Sequence, residues 1–180
     1  MKIFITFFVF FESGKYLYIN KKIKTCITMK NQEYFDKSEA ICAEKLEQFN
    51  NKYHIFNDLG SLHSGSSIDF TGITITDKIA NIELKNRNIT STEYPTIIIE
   101  PHKYCKLIID WLYDGKEPLY INFTSDGYVL VHNLRPDKTK AKPVFGEKKK
   151  YQSIGYNSFE LSTRIELDVN DAIKYNMNDE

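Results

Sequence analysis

Apolar and polar positions along this chain repeat with two periods, one near 3.6 residues and one of 2, and the switches between them mark its elements. Over residues 33–50, Phe35, Cys42, Leu46 and Phe49 recur at helical spacing among glutamates and lysines, which predicts a first helix. Residues 53–56 suit a short strand, and 57–67, with Gly60, Gly65 and several serines, read as an open loop. Strands follow over 68–75 and 79–87, joined by a turn at Asp77-Lys78. Residues 95–100 read as an extended edge segment, and Pro101 opens a second helix over 101–113. That helix has Tyr104, Leu107, Ile108, Trp111 and Leu112 on its apolar face and Gly115 as its stop. Residues 119–123 and 128–133 form a hairpin around Asp126-Gly127, and 158–169 is the expected final strand. The order, helix, three strands, helix, two strands, predicts an α/β fold with a mixed central sheet flanked by helices.

At 180 residues the chain suits one domain with a sizeable core. Its 24 basic residues balance 24 acidic ones, so contact with a polyanion has to come from a local patch. One such patch exists. Residues 135–150 carry seven lysines and arginines against two acids, interrupted by Pro136, Pro143 and Gly146. Read as a loop, it presents Lys138, Lys140, Lys142, Lys148, Lys149 and Lys150 to phosphates, with Tyr151 and Tyr156 behind it to stack on bases; a solvated loop without a partner is the other reading. Cys26, Cys42 and Cys105 are scattered and odd in number, which signals neither a disulfide framework nor a structural zinc site and suits a reducing, intracellular setting.

Three readings fit residues 1–28, whose apolar run from Ile3 to Phe11 is too short to span a bilayer as a helix. They are an upstream extension outside the native product, with Met29 as the true start; a buried or partner-covered strand; or the core of a secretion signal that lacks a small-residue cleavage pattern. No membrane span is expected. The domain is therefore drawn over 29–169, with 170–180 as a frayed acidic end.

The chemistry concentrates on the strand over 79–87. Because side chains alternate across a strand, Ala80, Ile82 and Leu84 go to one face while Glu83, Lys85 and Arg87 project from the other. The preceding hairpin returns Asp69, fourteen residues earlier, to Glu83 and Lys85. Two carboxylates with a backbone carbonyl, that of Leu84, form a suitable oxygen set for Mg²⁺, a hard ion that keeps several waters. A lysine beside them can orient or deprotonate an attacking water and offset charge building on a phosphate. The expectation is a metal-dependent phosphodiesterase site.

The spacing Asp69, then Glu83-Leu84-Lys85, between a helix before and a helix after, resembles the PD-(D/E)xK nuclease superfamily and its restriction-endonuclease-like core over residues 33–133. The resemblance implies an endonuclease acting on DNA in recombination, repair or phage-type processing, with Asp69 and Glu83 as ligands of Mg²⁺ (or Mn²⁺ in its place) and Lys85 as the catalytic lysine. Within the superfamily the chain is similar to archaeal-type Holliday junction resolvases, which carry a glutamate on the first helix, matched by Glu39, and a Gly/Ser loop like Gly65-Ser66-Ser67 before the aspartate. On that likeness Ser66, Ser67 and Arg87 join the nucleic-acid contacts, and a homodimer is expected because such enzymes cut two strands symmetrically. The chain departs from the superfamily pattern in having Ile68, not proline, before Asp69. The rival expectation is a non-catalytic nucleic-acid-binding or assembly protein that keeps the nuclease-like fold.

Overall fold

A computed structural model describes residues 21–61, 68–149 and 159–179. The chain divides into two units, residues 1–36 and 37–180. Helix α1 (Lys21–Tyr53) contributes to both. It outruns the predicted 33–50 because neither glycine nor proline occurs between Gly14 and Gly60 to break it. Met29, the expected domain start, falls inside this helix.

The second unit is a mixed α/β fold, as expected. Its strands are β1 (Phe56–Ser61), β2 (Phe70–Thr74), β3 (Ile79–Asn86), β4 (Thr96–Ile99), β5 (Glu117–Phe123), β6 (Tyr128–Asn133), β7 (Ala141–Lys149), β8 (Phe159–Asp168) and β9 (Ile173–Asn176), with α2 (Pro101–Asp114) between β4 and β5. Six strands form one sheet in the order β1-β2-β3-β5-β6-β9, and three form another in the order β4-β8-β7. Only the β3–β5 pair in the larger sheet is parallel, which is the crossover that α2 makes possible.

The period-2 pattern of β3 and β5 sorts the core into two layers. Ala80, Ile82, Leu84, Leu119, Ile121 and Phe123 pack against Cys42, Leu46 and Phe49 of α1. On the opposite face Tyr120 and Leu130 pack with Leu107 of α2 and with Ile97, Ile99, Ile165 and Leu167 of the smaller sheet. Gly115, predicted as the stop of α2, caps it in the left-handed conformation at φ 70°.

Several expectations give way. Tyr53, placed in a strand, remains helical, because Asn50 folds the chain back: its side chain accepts from the Phe56 N–H at 2.7 Å and donates to the Phe56 carbonyl at 3.0 Å. Residues 57–61, read as loop, belong to β1, whose ladder to β2 places Gly60 opposite Thr71 and stands in for the missing apolar alternation. The basic run read as a loop is largely strand β7, an edge strand, where Pro143 is tolerated because one backbone edge is unpaired.

The acidic end expected to fray is also ordered: a 3-10 turn (Val169–Asp171) leads into β9, which pairs with β6. Tyr175 meets Phe49 edge-on at 5.0 Å, and the Tyr53 hydroxyl donates to the Asn176 carbonyl at 2.5 Å. Among the described residues no helix is long and apolar enough to cross a membrane.

Removing residues 173–180 should therefore lower the unfolding free energy by at least about 2 kcal/mol, the scale of one buried tyrosine together with a lost strand pairing, measured by urea denaturation. A tail that frays would leave the midpoint unchanged.

Candidate active site

The ladder between β2 and β3 pairs Phe70 with Ile82, so the residue before β2, Asp69, comes level with Glu83. There the Asp69 carboxylate accepts the Leu84 N–H at 2.8 Å. The N–H and C=O of an extended residue leave the same strand edge, so the Leu84 carbonyl lies on the side that Asp69 occupies. Asp69, Glu83 and Leu84 are thus brought together, as expected.

Most of the polar face of β3 is covered. Asn81 and Glu83 are buried beneath α2, with Glu83 only 1% exposed. The helix is rolled to suit them: Asp110 is buried and accepts from the Asn81 side chain at 2.7 Å, whereas Leu112, assigned to the apolar face, is 64% exposed. A buried carboxylate needs a counter-charge, and α2 delivers one. The Lys103 ammonium donates to Glu83 Oε2 at 2.8 Å and stands 3.5 Å from Asp69 Oδ1.

Lys85 completes the cluster. Its Nζ lies 3.5 Å from Glu83 Oε1 and 3.5 Å from Glu100 Oε1, at the junction of β4 and α2. Neither Lys103 nor Glu100 was singled out from the sequence. Both come from the far side of the crossover, and a Pro-x-Lys helix start carries no signal for either role. Proline at the first helical position does place Lys103 in the opening turn of α2, the one detail from which its position was legible.

Burial first, and then the negative charge of Asp69, push the Glu83 carboxyl up to about 7 against the pull of Lys103 and Lys85. Burial works to lower the Lys103 ammonium, but its hydrogen bond to Glu83 and the charges of Glu83 and Asp69 outweigh it and hold the group above its usual range. Glu100 is likewise disfavoured as an anion by burial, yet Lys85 and Arg87 keep it below the ordinary carboxylate range. The cluster therefore keeps the Lys103 ammonium charged and places the Glu83 proton near neutrality.

Among the described residues no group of three or more His, Cys, Asp or Glu side chains is arranged to hold a metal ion. Glu39, the match to the first-helix glutamate of the resolvases and so a possible ligand on that likeness, with a place at the stripe's edge reaching water as the equal alternative, is exposed. The reason lies in where α1 crosses the sheet: Lys45 already donates to Asn86, the last residue of β3, at 2.8 Å, so the turns before Cys42 have overrun the strand. A cation here would rest on Asp69 and Glu83, with the Leu84 carbonyl and water as further ligands. The donor chemistry fits Mg²⁺, and Glu83 Oε1 is a buried oxygen that has, among the described residues, the Lys85 ammonium at 3.5 Å but no hydrogen-bond partner.

Arg87 is turned into the protein. Its Nε donates to Asn122 at 2.8 Å, and its Nη2 donates to the Tyr120 hydroxyl at 2.7 Å and to the Ile98 carbonyl. Burial raises the Tyr120 phenol well above its usual range, so it stays a neutral hydroxyl and donates to the same carbonyl at 2.8 Å. Lys138, Lys140 and Lys142 are exposed, the last on β7, two strands from the β4 that leads into Glu100. Lys148 and Lys149 continue β7, with side chains outside the described set. Ser66, Ser67, Lys150, Tyr151 and Tyr156 lie outside the described residues.

Because the folded Glu83 carboxyl sits near 7, above its ordinary 4.5, the folded state holds that proton more tightly than the unfolded chain does. Its contribution to stability is complete below about pH 4.5 and drains away as pH rises through 7. In EDTA, Glu83→Gln should therefore gain melting temperature relative to the parent chain between pH 5 and pH 8. A difference that stays flat over that window would show that Glu83 is not the group responsible.

No protein-family model matches the chain, and no curated protein matches its sequence. In structure it is similar to Archaeoglobus fulgidus Hjc, a Holliday junction resolvase from an archaeal hyperthermophile, at 9% identity over 75% of this chain and 89% of that one, with a TM-score of 0.48.

Proposed function

We propose that this chain is a metal-dependent endonuclease that hydrolyses phosphodiester bonds in DNA, in recombination, repair or phage-type DNA processing. The observation that carries the proposal is the meeting of Asp69, Glu83 and Lys85 at one end of β3, where the Leu84 N–H holds the Asp69 carboxylate level with Glu83 and Lys85 stands 3.5 Å from Glu83 Oε1. A bound Mg²⁺ or Mn²⁺ would neutralise the phosphate and lower the pKa of an attacking water.

The chain's own residues have separable tasks. Asp69 and Glu83 supply carboxylate oxygens, with Glu83 shielded from solvent so that its charge acts at low dielectric. Lys85, about one-third exposed, stands at the mouth of the cluster, where its ammonium can orient the water and offset charge on the scissile phosphate. Glu100 limits how far that lysine can swing. Arg87 locks β3 to Tyr120 and Asn122 of β5, which gives it a supporting task in place of the expected phosphate contact. The exposed lysines at and before β7 form the electrostatic footprint for the DNA backbone, and a homodimer would carry two such sites.

One observation favours a second reading, a non-catalytic nucleic-acid-binding or assembly protein: Lys103 bridges both carboxylates and gives the pair a counter-charge without metal.

Labelled duplex, single-stranded and four-way-junction DNA, incubated with Mg²⁺, Mn²⁺ or EDTA, separate the two. Metal-dependent cleavage is expected, with Lys85→Ala and Asp69→Ala each lowering the rate by roughly 10²-fold or more while DNA binding persists. Binding that is indifferent to EDTA, with no cleavage of any substrate, would select the second reading.

A further inference from the structure

Two carboxylates and one ammonium meet beside the first turn of α2, Glu83 shielded from solvent and its two partners only partly so. Glu83 is 1% exposed at its side chain, Lys103 17% and Asp69 26%. The ammonium lies 2.8 Å from Glu83 Oε2 and 3.5 Å from Asp69 Oδ1, while Glu83 Oε1 has no hydrogen-bond partner. Lys85 also attends Glu83, but from the more open side and shared with Glu100.

We infer that Lys103 is the resident counter-cation of this site, that it occupies the space between the Asp69 and Glu83 carboxylates and must leave when a divalent cation binds there, and that it thereby sets the metal affinity of the site. The inference rests on the metal-site reading above and deepens it. A divalent ion in contact with both carboxylates takes its oxygens at about 2.0–2.2 Å, so it would stand within a few ångströms of an ammonium already at hydrogen-bond distance from one of them. Two cations that close, on a carboxylate shielded from water, repel and compete for the same lone pairs.

Lys103 is built to yield. It lies in the first turn of α2, on a flexible four-carbon stem, with part of its side chain already at the surface, so its ammonium can swing to solvent while its backbone stays in the helix. Without metal it compensates the buried Glu83 carboxylate together with the half-buried Asp69 carboxylate. With metal that task passes to the ion. The site therefore exchanges one cation for another and does not open an empty cage.

The test is Mn²⁺ binding by isothermal titration calorimetry, without DNA, on the full chain, Lys103→Met, Lys103→Arg and an Asp69→Asn/Glu83→Gln reference. Lys103→Met, which keeps length and loses charge, should bind Mn²⁺ at least about tenfold more tightly than the parent and gain more melting temperature from added metal, although it melts lower in EDTA. Lys103→Arg should bind like the parent. Mn²⁺ binding that is equal or weaker in Lys103→Met would overturn the inference and leave the metal site standing. Binding by the parent and Lys103→Met no better than by the reference would overturn the metal site itself, and the inference with it.

Discussion

The structure turns on the burial of one carboxylate. Glu83 sits in the second half of a central strand, apolar neighbours occupy the opposite face of that strand, and a helix lies over it. An isolated buried carboxylate is too costly to keep, so every element near it is arranged around the deficit. Helix α2 is rolled until Lys103 and Asp110, and not Leu112, face the sheet. Lys85 is divided between Glu83 and Glu100, and Asp69 is fixed by a backbone N–H that would otherwise lack a strand partner beyond the end of β2. That arrangement also leaves Glu83 with its proton near neutrality, beside two lysines and a second carboxylate.

Support for the cluster comes from outside it. Arg87 follows β3 and ties it to β5 through Asn122 and Tyr120, and Tyr120 with Arg87 reaches across to the Ile98 carbonyl on β4. The segment that delivers Glu100 and α2 is thereby anchored to the strand that carries Glu83 and Lys85. Positioning a charged side chain to within a fraction of an ångström demands such a frame, because a long lysine on an unsupported segment loses its geometry to rotamer freedom.

How far these relations were legible in the chain depended on their range. The alternation of Ala80, Ile82 and Leu84 with Glu83, Lys85 and Arg87 is local, and it separates the apolar face of the strand from the charged one. The short hairpin between Asp69 and Glu83 was readable because a strand, turn and return fix their register within a few residues. Helical periodicity left Glu39 between solvent and the site, because it locates a side of a helix but not where the helix leaves the sheet beneath it. Strands β1, β7 and β9 escaped because their sequences, FNDLGS, AKPVFGEKK and IKYN, lack strong alternation and acquire their conformation from the strands they pair with, β2, β8 and β6.

By itself the sequence determined the elements with strong periodicity: the first helix as far as its core stripe, the strand bearing Glu83 and Lys85, the proline-started and glycine-stopped second helix, and the Asp-Gly hairpin. Each follows from backbone sterics and side-chain periodicity within a window of a dozen residues. Tertiary structure alone decided what covers the charged face, that Lys103 enters the carboxylate pair, that Arg87 turns inward, and that the acidic end becomes a sheet edge. Those outcomes depend on how burial, charge compensation and strand pairing are satisfied together across the sheet, and no local window contains both halves of any of them.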